Sequence, residues 1–456
     1  MPDYTPHTGP EIEAMLAFLD LSSLDELFDA IPKALQLQAG LELPAGEPEP
    51  DVLASMQSLA ARNPAAASSM VCFAGAGAYD HEVPPVVRSL AGRSEFVTAY
   101  TPYQPEVAQG ILQAVFEFQT LVSRLSGLPV ANASLYDGAA SVTEAVNLAV
   151  ASSRRQRVLL STGVQPHWRN VVKTFARGTG HEIVEVPLTN GATNFAAVGG
   201  EAPGVIVVAH TTYLGTFEDL AAARTYADEV GAVLVVVADP IMAAVLATPG
   251  SLGADVVVGE GQPFGTALSF GGPYLGLFSC TMEQVRRLPG RLVGETLDEE
   301  GRRAYVTTLR AREQDIRREK ATSNVCSNQT LMAVTAAIQL GWLGTQGLAE
   351  VAARCVSSTH FLAESVVRID GVEALFPGVP FARDVAVVTP APAAVVLDRL
   401  AEEGFLGGLA LDSLTDEGDG SIAPDARAHT ILMSATERRT LAEVESFAAA
   451  FEKAAR

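Results

Sequence analysis

The chain has 456 residues, of which 48% are apolar and 18% are charged. That length is about three times a typical domain of ~150 residues, and the apolar content is enough for a large core. The composition therefore predicts two or three folded domains and excludes an intrinsically disordered chain. The chain carries 31 basic and 53 acidic residues, for a net charge of −22. A surface that acidic repels phosphate backbones and anionic lipids, which argues against nucleic acid and membranes as partners.

The N-terminus and the cysteines indicate a cytoplasmic protein. The first residues contain neither the basic segment nor the apolar run of a secretory signal. No apolar stretch reaches the ~20 residues of a membrane span. The four cysteines have no metal-binding or redox spacing, and their apolar neighbours predict buried, reduced thiols: Cys72, Cys280, Cys326 and Cys355.

The pattern divides the chain into an N-terminal arm (1–60), a large domain (61–320) and a small C-terminal domain (321–456). In the arm, residues 11–38 have the apolar spacing of short helices, and the proline- and glycine-rich residues 40–50 are typical of a linker or exposed loop.

The large domain alternates strands and helices, which is typical of an α/β fold. The periodicity predicts a helix over residues 104–125, with Pro105 in its first turn and Gly127 just past its end. Another helix begins near Asp219 and ends at Gly231. Predicted strands cover residues 157–161, 182–186, 204–209, 232–238, 254–258 and 274–279. Several are continuous apolar runs, as in a mostly parallel sheet that is covered on both faces.

The small domain has an α+β pattern. Its predicted helices cover residues 328–345, 347–368, 394–403 and 435–454, and its short strands cover residues 385–388 and 430–434.

Asp239 follows the predicted strand 232–238, at the sheet edge where α/β proteins usually bind ligands. In aminotransferase-like enzymes that depend on pyridoxal phosphate (PLP), an aspartate at this place keeps the pyridine nitrogen protonated, and the protonated ring accepts electrons. The alternative is that Asp239 only caps the next turn.

A PLP enzyme also needs a lysine that forms an aldimine with the cofactor, and that lysine should follow the next strand. Gln262 stands there, and an amide cannot form a Schiff base. The chain has four lysines, none at a suitable distance after a strand: Lys33, Lys173, Lys320 and Lys453. Two interpretations stay open. Either this is not a PLP chain, or it is a degenerate copy whose partner carries the lysine.

Other patterns are less specific. Glycine-rich residues 259–276 lack the G-x-G-x-x-G order of a nicotinamide site. Residues 137–141 precede a helix, where they can hold a phosphate or simply cap the helix. The scattered histidines predict no metal site, and no serine-hydrolase motif occurs. Residues 286–320 hold ten basic and seven acidic side chains, which suit either an acidic partner or a solvated face of ion pairs.

Long strings of the sequence resemble subunit 1 of glycine dehydrogenase (decarboxylating), the α chain or N-terminal half of the glycine cleavage P-protein. They include residues 75–84 (GAGAYDHEVP), 98–108 (TAYTPYQPEVA), 131–140 (ANASLYDGAA), 253–266 (GADVVVGEGQPFGT) and 312–327 (REQDIRREKATSNVCS). The resemblance covers essentially the whole chain. It implies the α/β fold of fold-type-I, aspartate-aminotransferase-like PLP transferases, with a smaller α+β domain at the C-terminus.

The resemblance also implies the reaction and the partners. P-proteins decarboxylate glycine and transfer the aminomethyl group to the lipoyl arm of the H-protein. In split P-proteins the aldimine lysine lies on subunit 2, the β chain. We therefore expect PLP on that partner rather than covalently on this chain, and an α2β2 assembly.

The resemblance implies three groups of site residues. Candidates for a site shared with the partner are Tyr79, His81, Tyr100, Thr101, Tyr103 and Gln104, together with Ser269, Gly271 and Gly272 as backbone contacts to the partner's cofactor phosphate. Candidates for the entry of an acidic H-protein are Arg317, Arg318 and Lys320. Asp239 and Gln262 would be relics of a degenerate cofactor site.

Three alternatives to this interpretation stay open. Residues 100–104 can be ordinary interface packing, the chain can be a structural or regulatory subunit without active-site residues, or it can be a stand-alone PLP enzyme that uses Lys320. Two segments depart from the family pattern: residues 165–169 (QPHWR), where we expect His-Pro-x-Tyr-Arg, and residues 210–215 (HTTYLG), where we expect a Ser-Pro-Asn-Phe-type turn. Both fall in the degenerate site, where loss costs little if the partner does the chemistry.

Overall fold

The computed structural model describes residues 6–37, 41–63, 70–269, 271–321, 323–325, 329–414 and 422–456. It divides into two compact units, residues 1–63 and 64–456. Cys326 lies outside the described residues. Within them, no helix combines the length and the apolar character needed to cross a membrane.

The helices and strands largely follow the predicted pattern. The α-helices are Gly9–Phe18, Glu49–Ala60, Pro85–Ala91, Ser94–Val97, Gln109–Ser126, Gly138–Ser153, Pro166–Thr179, Leu220–Val230, Gln314–Arg317, Thr330–Val366, Ala393–Glu402, Leu411–Leu414, Pro424–Ala428 and Leu441–Ala455. The strands are Val71–Cys72, Val130–Ala131, Arg157–Ser161, Glu182–Val186, Leu188–Thr189, Ala192–Thr193, Val205–His210, Val233–Ala238, Val256–Glu260, Gly276–Cys280, Leu292–Leu297, Arg303–Thr308, Glu373–Ala374, Asp384–Val388, Phe405–Leu406, Leu409–Ala410 and Thr430–Ser434.

Among its described residues, the N-terminal unit has two α-helices and two short 3-10 helices. The first begins at Thr8, whose side chain and Glu11 form a capping box. The second, Glu49–Ala60, starts with Glu49 and Pro50, so the predicted linker over residues 40–50 was too long by two residues. Neither helix contains a buried residue.

The main sheet has seven strands within the described residues. Their order is Val130–Ala131, Gly276–Cys280, Val256–Glu260, Val233–Ala238, Val205–His210, Arg157–Ser161 and Glu182–Val186. The last five pair in parallel, and Gly276–Cys280 is antiparallel to both of its neighbours. This confirms the predicted, mostly parallel sheet.

Both faces of the sheet are covered, as the unbroken apolar runs predicted. On the strand Val205–His210, Val205 and Val207 pack into one apolar cluster with the helix Gly138–Ser153. Ile206 and Val208 pack into the opposite cluster with the helix Leu220–Val230. The carboxyl ends of the parallel strands are therefore held rigidly at one edge, where α/β folds place their ligands.

The small C-terminal part is an antiparallel sheet under helices. The strand order is Glu373–Ala374, Asp384–Val388, Thr430–Ser434 and Leu409–Ala410. Its core joins Phe73, Phe447 and Phe451. Phe73 reaches this core because the strand Val71–Cys72 pairs in parallel with Phe405–Leu406.

Two predicted helix starts were wrong by at least five residues, and one hairpin was missed. The helix predicted from residue 104 begins at Gln109, because Pro105 lies in a separate 3-10 turn. The last helix begins at Leu441 rather than residue 435, since Thr440 and Glu443 form a capping box there. The antiparallel hairpin Leu292–Leu297 with Arg303–Thr308 was not predicted.

Candidate functional site

Asp239 stands at the carboxyl end of its parallel strand, as predicted, but it already has an internal partner. One carboxylate oxygen accepts the amide hydrogen of Ile241 at 2.9 Å. The other accepts from Nε of Arg383 at 2.5 Å. The arginine side chain is 2% exposed and that of Asp239 is 9% exposed, so the pair is buried. This carboxylate is therefore satisfied without a pyridine ring.

The guanidinium of Arg383 is the centre of a buried polar cluster. It lies 3.5 Å from the centre of the Tyr79 ring, a cation–π contact. Its Nη1 donates to Nε2 of His81 at 2.7 Å. Burial alone would lower the pKa of Arg383, but the charge of Asp239 raises it above its ordinary value. The arginine is a permanent cation paired with Asp239, the carboxylate that the sequence suggested for a cofactor's ring nitrogen.

Gln262 is fully buried and is bonded to the backbone of Tyr79. Its Oε1 accepts from the Tyr79 amide at 3.0 Å, and its Nε2 donates to the Tyr79 carbonyl at 3.0 Å. The same Nε2 donates to the carbonyl of Thr266 at 2.7 Å. The residue in the lysine's place thus fastens one chain segment to another, which an ammonium group could not do because it has no acceptor.

The hydroxyl of Tyr79 extends the cluster into the small sheet. It donates to Oδ2 of Asp384 at 3.0 Å. Burial raises the pKa of Asp384 to about 7, although the adjacent charge of Arg383 opposes the rise. The segment around Tyr79, the main sheet and the small sheet are joined at this point by buried hydrogen bonds.

His81 connects Arg383 to a carboxylate. Because Nε2 of His81 accepts from Arg383, Nδ1 carries a proton and donates it to Glu437 at 2.7 Å. Burial alone would raise the pKa of Glu437, but the hydrogen bonds from His81 and the Glu82 amide lower it to about 2. Cys355 donates to the same carboxylate at 3.4 Å. Histidine, cysteine and carboxylate form a trio, but the proton on Nδ1 makes it a hydrogen-bonded chain rather than a metal site.

The N-terminus of the helix Gly138–Ser153 is capped by the chain's own carboxylates. Oδ1 of Asp137 accepts from the Ala140 amide at 2.6 Å, and Oε2 of Glu260 accepts from the Gly138 amide at 2.8 Å. The other oxygen of Glu260 accepts two further amide hydrogens, at 2.8 and 2.9 Å. Burial raises the pKa of Glu260 to about 8. Of the two interpretations of residues 137–141, capping is confirmed.

The indole of Trp168 packs against Gly138, at the N-terminus of the same helix. A Cβ on Gly138 would lie 2.3 Å from its ring, so only glycine fits beneath the indole. Trp168 belongs to residues 165–169, one of the two segments that depart from the family pattern. Its amide is held by Oε1 of Gln165 at 3.0 Å.

The remaining cavity at this place measures about 60 Å³ and is lined by Trp168, Asp239, Glu260 and Arg383, among others. Sites for small organic ligands usually measure about 300–1,000 Å³. PLP does not fit the residues present: the carboxylate for its ring nitrogen is paired, its phosphate position is capped, and its lysine is a bonded glutamine. Asp239 and Gln262 now serve the internal packing of the fold.

The segment with Tyr100, Thr101 and Tyr103 is open to solvent, unlike the buried cluster around Arg383. These residues line an open basin of about 950 Å³. Tyr100 is 62% exposed and Tyr103 is 61% exposed. Gln104, the next residue, is also exposed. Two large aromatic side chains on one open surface are typical of a protein interface.

Tyr103 also borders a second cavity, of about 280 Å³, together with Arg291, Arg312 and Asn324. The guanidinium of Arg291 lies 4.8 Å from the centre of the Tyr103 ring and pairs with Glu313 at 3.4 Å. Tyr103 thus stands between an open aromatic basin and a polar pocket.

The structure does not bring all predicted site residues together. Tyr79 and His81 lie in the buried cluster around Arg383 and not in the basin. Ser269 and Gly271 are exposed in the loop between two main-sheet strands, and the Gly272 amide donates to the Ser269 carbonyl at 3.2 Å. The three predicted entry residues are exposed at the helix Gln314–Arg317 and the turn after it: Arg317, Arg318 and Lys320.

Some basic side chains of the stretch 286–320 form ion pairs with acidic side chains of the same stretch. Arg302 pairs with Asp298 at 2.9 Å across the hairpin turn, and Arg310 pairs with Asp315 at 3.2 Å. In this part the solvated face of ion pairs is confirmed.

Sequence reasoning missed the residues that close the site. Arg383 and Glu437 are 144 and 198 positions beyond Asp239 in the chain, and neither belongs to a recognisable motif. The available signal for Arg383 was a charged pair, Arg383 and Asp384, at the start of an otherwise apolar strand. Buried charges at such a place need partners.

Comparisons with known proteins show the family to which the chain belongs. A family model for the glycine cleavage system P-protein matches residues 2–419. A relative from Moorella thermoacetica, named "Probable glycine dehydrogenase (decarboxylating) subunit 1", is 44% identical over 451 residues, 98% of each chain. The crystal structure of a glycine decarboxylase (P-protein) in inhibitor-bound form matches with a TM-score of 0.87 and 42% identity, covering 99% of this chain and 100% of that one. The chain belongs to the P-protein family of the glycine cleavage system.

The predicted fold class is confirmed as well. A sphingosine-1-phosphate lyase from Burkholderia pseudomallei matches with a TM-score of 0.60 at 18% identity, covering 93% of this chain and 94% of the other. At that identity the likeness concerns the fold alone. The P-protein chain described here has the α/β fold of the fold-type-I PLP transferases.

Proposed function

We propose that this chain is the subunit of a cytoplasmic glycine dehydrogenase (decarboxylating) that does not carry the cofactor, and that subunit 2 supplies PLP and its lysine. The observation that supports the proposal is the closed site: Asp239 is paired with Arg383, Gln262 is bonded to the backbone of Tyr79 where the aldimine lysine is expected, and Glu260 accepts from the Gly138 amide at the helix N-terminus. The lysines support it further, since Lys173, for example, lies on the helix Pro166–Thr179 and pairs with Glu185 of the strand Glu182–Val186 at 3.4 Å.

The overall reaction is the one that the P-protein family implies. The bond from Cα of glycine to its carboxylate breaks, and carbon dioxide leaves. The lipoyl disulfide of the H-protein is reduced: one sulfur bonds to the aminomethyl carbon and the other takes a proton. PLP on subunit 2 supplies the electron sink for the decarboxylation.

This chain contributes surfaces to that reaction. Tyr100, Thr101 and Tyr103 form the wall that faces the partner's cofactor, excluding water and orienting glycine. The exposed turn with Ser269, Gly271 and Gly272 contacts the partner beside the phosphate. For Gly272 this contact requires the 3.2 Å bond to Ser269 to open, so Gly271 is the stronger candidate donor.

The H-protein approaches along the exposed basic residues Arg317, Arg318 and Lys320. They lie close in sequence to Gln314 and Asp315, which line the pocket beside Tyr103. A local excess of basic side chains on an acidic chain steers an acidic protein to that place. In the expected α2β2 assembly, each αβ pair then contains one working site.

Reconstitution tests the shared site. Glycine-dependent release of carbon dioxide is measured with this chain, subunit 2 and lipoylated H-protein, together and with each left out. We expect turnover only with all three. Tyr103→Ala should lower turnover at least tenfold, because it removes part of the aromatic wall of the shared site. The complex should still elute at full size, because Tyr103 is exposed and does not belong to the core.

Phe175→Ala is the matched control, since Phe175 is 53% exposed on a helix that does not line the basin. It should leave turnover unchanged. A structural or regulatory subunit would give unchanged turnover for both variants. A stand-alone enzyme that uses Lys320 would release carbon dioxide without subunit 2.

A further inference from the structure

A cavity of about 310 Å³ lies at the break in the long helix Thr330–Val366. The backbone leaves helical geometry at Gly344, where φ is 61° and ψ is −176°. Trp342 and Leu343 before the break and Gly347 after it line the cavity. Its volume is at the lower end of the range of about 300–1,000 Å³ for small-molecule sites.

One side of the cavity is apolar. Ile241, Pro263 and Val351 join Leu343 there, and the indole of Trp342 is 57% exposed beside them. An exposed indole offers a flat face to an apolar or aromatic group, and its π-electrons also attract a cation. This wall suits a ligand with an apolar body.

The polar side of the cavity is negative. The carboxylates of Glu82, Glu350 and Glu437 line it, against the single guanidinium of Arg354, which pairs with Glu350 at 2.5 Å. His81 also lines the cavity and donates from Nδ1 to Glu437. Outside the lining, Arg438 lies 3.4 Å from Glu82 but is shared with Asp80. The excess of carboxylates favours a cationic ligand.

A buried acceptor without a partner points to a hydrogen-bond donor. Gln339 lines the cavity and is 4% exposed. Its Nε2 donates to the Glu82 carbonyl at 3.3 Å, whereas its Oε1 has no hydrogen-bond partner. A buried acceptor left in this state is unfavourable, and a ligand N–H in the cavity would relieve it.

We propose that this cavity binds a small free primary amine in its protonated form, with an apolar body. The ammonium group sits among the carboxylates of Glu350 and Glu437 and donates toward Gln339. The apolar body packs against Trp342 and Val351. The proposal does not rest on the function proposed above, because the basin beside Tyr103 contributes no residue to it.

The two tryptophans of the chain allow a direct test. Trp168→Phe leaves Trp342 as the sole indole. Titration with benzylammonium, benzoate and benzyl alcohol compares a cation, an anion and a neutral molecule on one ring, followed by fluorescence and by calorimetry. We expect saturable binding of benzylammonium, at least tenfold tighter than the other two. Equal binding of the three, or no saturable binding by either method, overturns the proposal.

Variants on the same helix locate the site. Gly347→Leu fills the cavity without changing a charge, and its Cβ meets only Leu343 at 3.5 Å. Glu350→Gln removes one carboxylate. Each should weaken benzylammonium binding at least tenfold, with circular dichroism confirming the fold. Glu364→Gln is the matched control, since Glu364 forms an i,i+4 pair with Arg368 but does not line the cavity. An equal effect of the control contradicts the assignment.

An experiment on the complete enzyme distinguishes two ligands for this cavity, a free amine and a cationic side chain of a partner subunit. The titration is repeated with the chain in complex with subunit 2. Unchanged affinity supports a free amine as ligand. Loss of binding in the complex overturns the proposal and assigns the cavity to a lysine or arginine of the partner.

Discussion

Two regions of this molecule carry residues that the sequence marks as functional, and they differ in what the fold does with them. At the degenerate cofactor site, Asp239, Gln262 and Glu260 are buried and bonded to other groups of the chain. In the basin, Tyr100 and Tyr103 are more than 60% exposed. The polar groups of the first region are thus bonded within the chain, whereas the aromatic groups of the second are exposed.

Arg383→Leu should give the largest effect and would break the closed region. Without the guanidinium, Asp239 keeps a buried carboxylate with no opposite charge, so we expect a loss of about 3–5 kcal/mol in the free energy of unfolding. Urea denaturation measures it. Arg368→Leu removes an arginine whose side chain is 76% exposed and should cost less than about 1 kcal/mol. Similar losses for both variants would mean that the buried cluster does not hold the region together.

Gln262→Lys tests whether the closed region can be reopened by restoring the lysine. We expect a loss of about 1–3 kcal/mol, because the ammonium group has no acceptor for the Tyr79 amide, and no yellow product with PLP. Denaturation and the visible spectrum check the two expectations. A borohydride-stable pyridoxyl group at position 262 would show that the cavity still admits the cofactor.

The pH dependence of stability should depend on the buried acids around the closed region. Burial raises the pKa of Glu144, on the helix Gly138–Ser153, from 4.5 to about 7. Between those values the folded chain keeps a proton that the unfolded chain has lost, so its stability is full below about pH 4.5 and falls as the pH rises to 7, by up to about 3 kcal/mol.

Glu144→Gln should flatten that dependence, measured by urea denaturation at several pH values from 5 to 8. Glu229→Gln, an exposed acid on the helix Leu220–Val230, is the control and should leave the slope unchanged. A slope that Glu144→Gln does not alter would assign the pH dependence to other groups.

Arg291→Ala should give the smallest effect, in the open region. It removes the cation–π contact with Tyr103, worth about 0.5–1 kcal/mol, and also the partly buried ion pair with Glu313. Turnover of the reconstituted complex should therefore fall about two- to fivefold, with a loss in the unfolding free energy smaller than that of Arg383→Leu. A stability loss as large as that of Arg383→Leu would show that the two regions do not differ as described.

The sequence predicted the regular parts of the fold well. The strands Arg157–Ser161 and Glu182–Val186 have the predicted ends, and Gly127 and Gly231 end their helices in left-handed conformation. These features depend on local apolar runs and on backbone preferences, which a single sequence displays. The hairpin over residues 292–308 was not predicted, because its charged side chains obscure the alternation of apolar residues.

The closure of the cofactor site could not be predicted in this way. The absence of a lysine at Gln262 was visible, but the group that pairs with Asp239 is Arg383, which directly precedes a strand of another sheet and lies 144 residues beyond Asp239. Such a contact depends on tertiary packing and leaves no spacing in the sequence. The same holds for His81, whose partner Glu437 lies 356 residues away.

The most direct test of the closed site is the visible spectrum of this chain, purified alone and mixed with PLP, before and after borohydride reduction. The chain alone should stay colourless and yield no pyridoxyl-lysine peptide, whereas the complex with subunit 2 should turn yellow and yield that peptide from subunit 2. A yellow chain with a pyridoxyl group on Lys320 or another of its own lysines would contradict the closed site and the division of labour built on it.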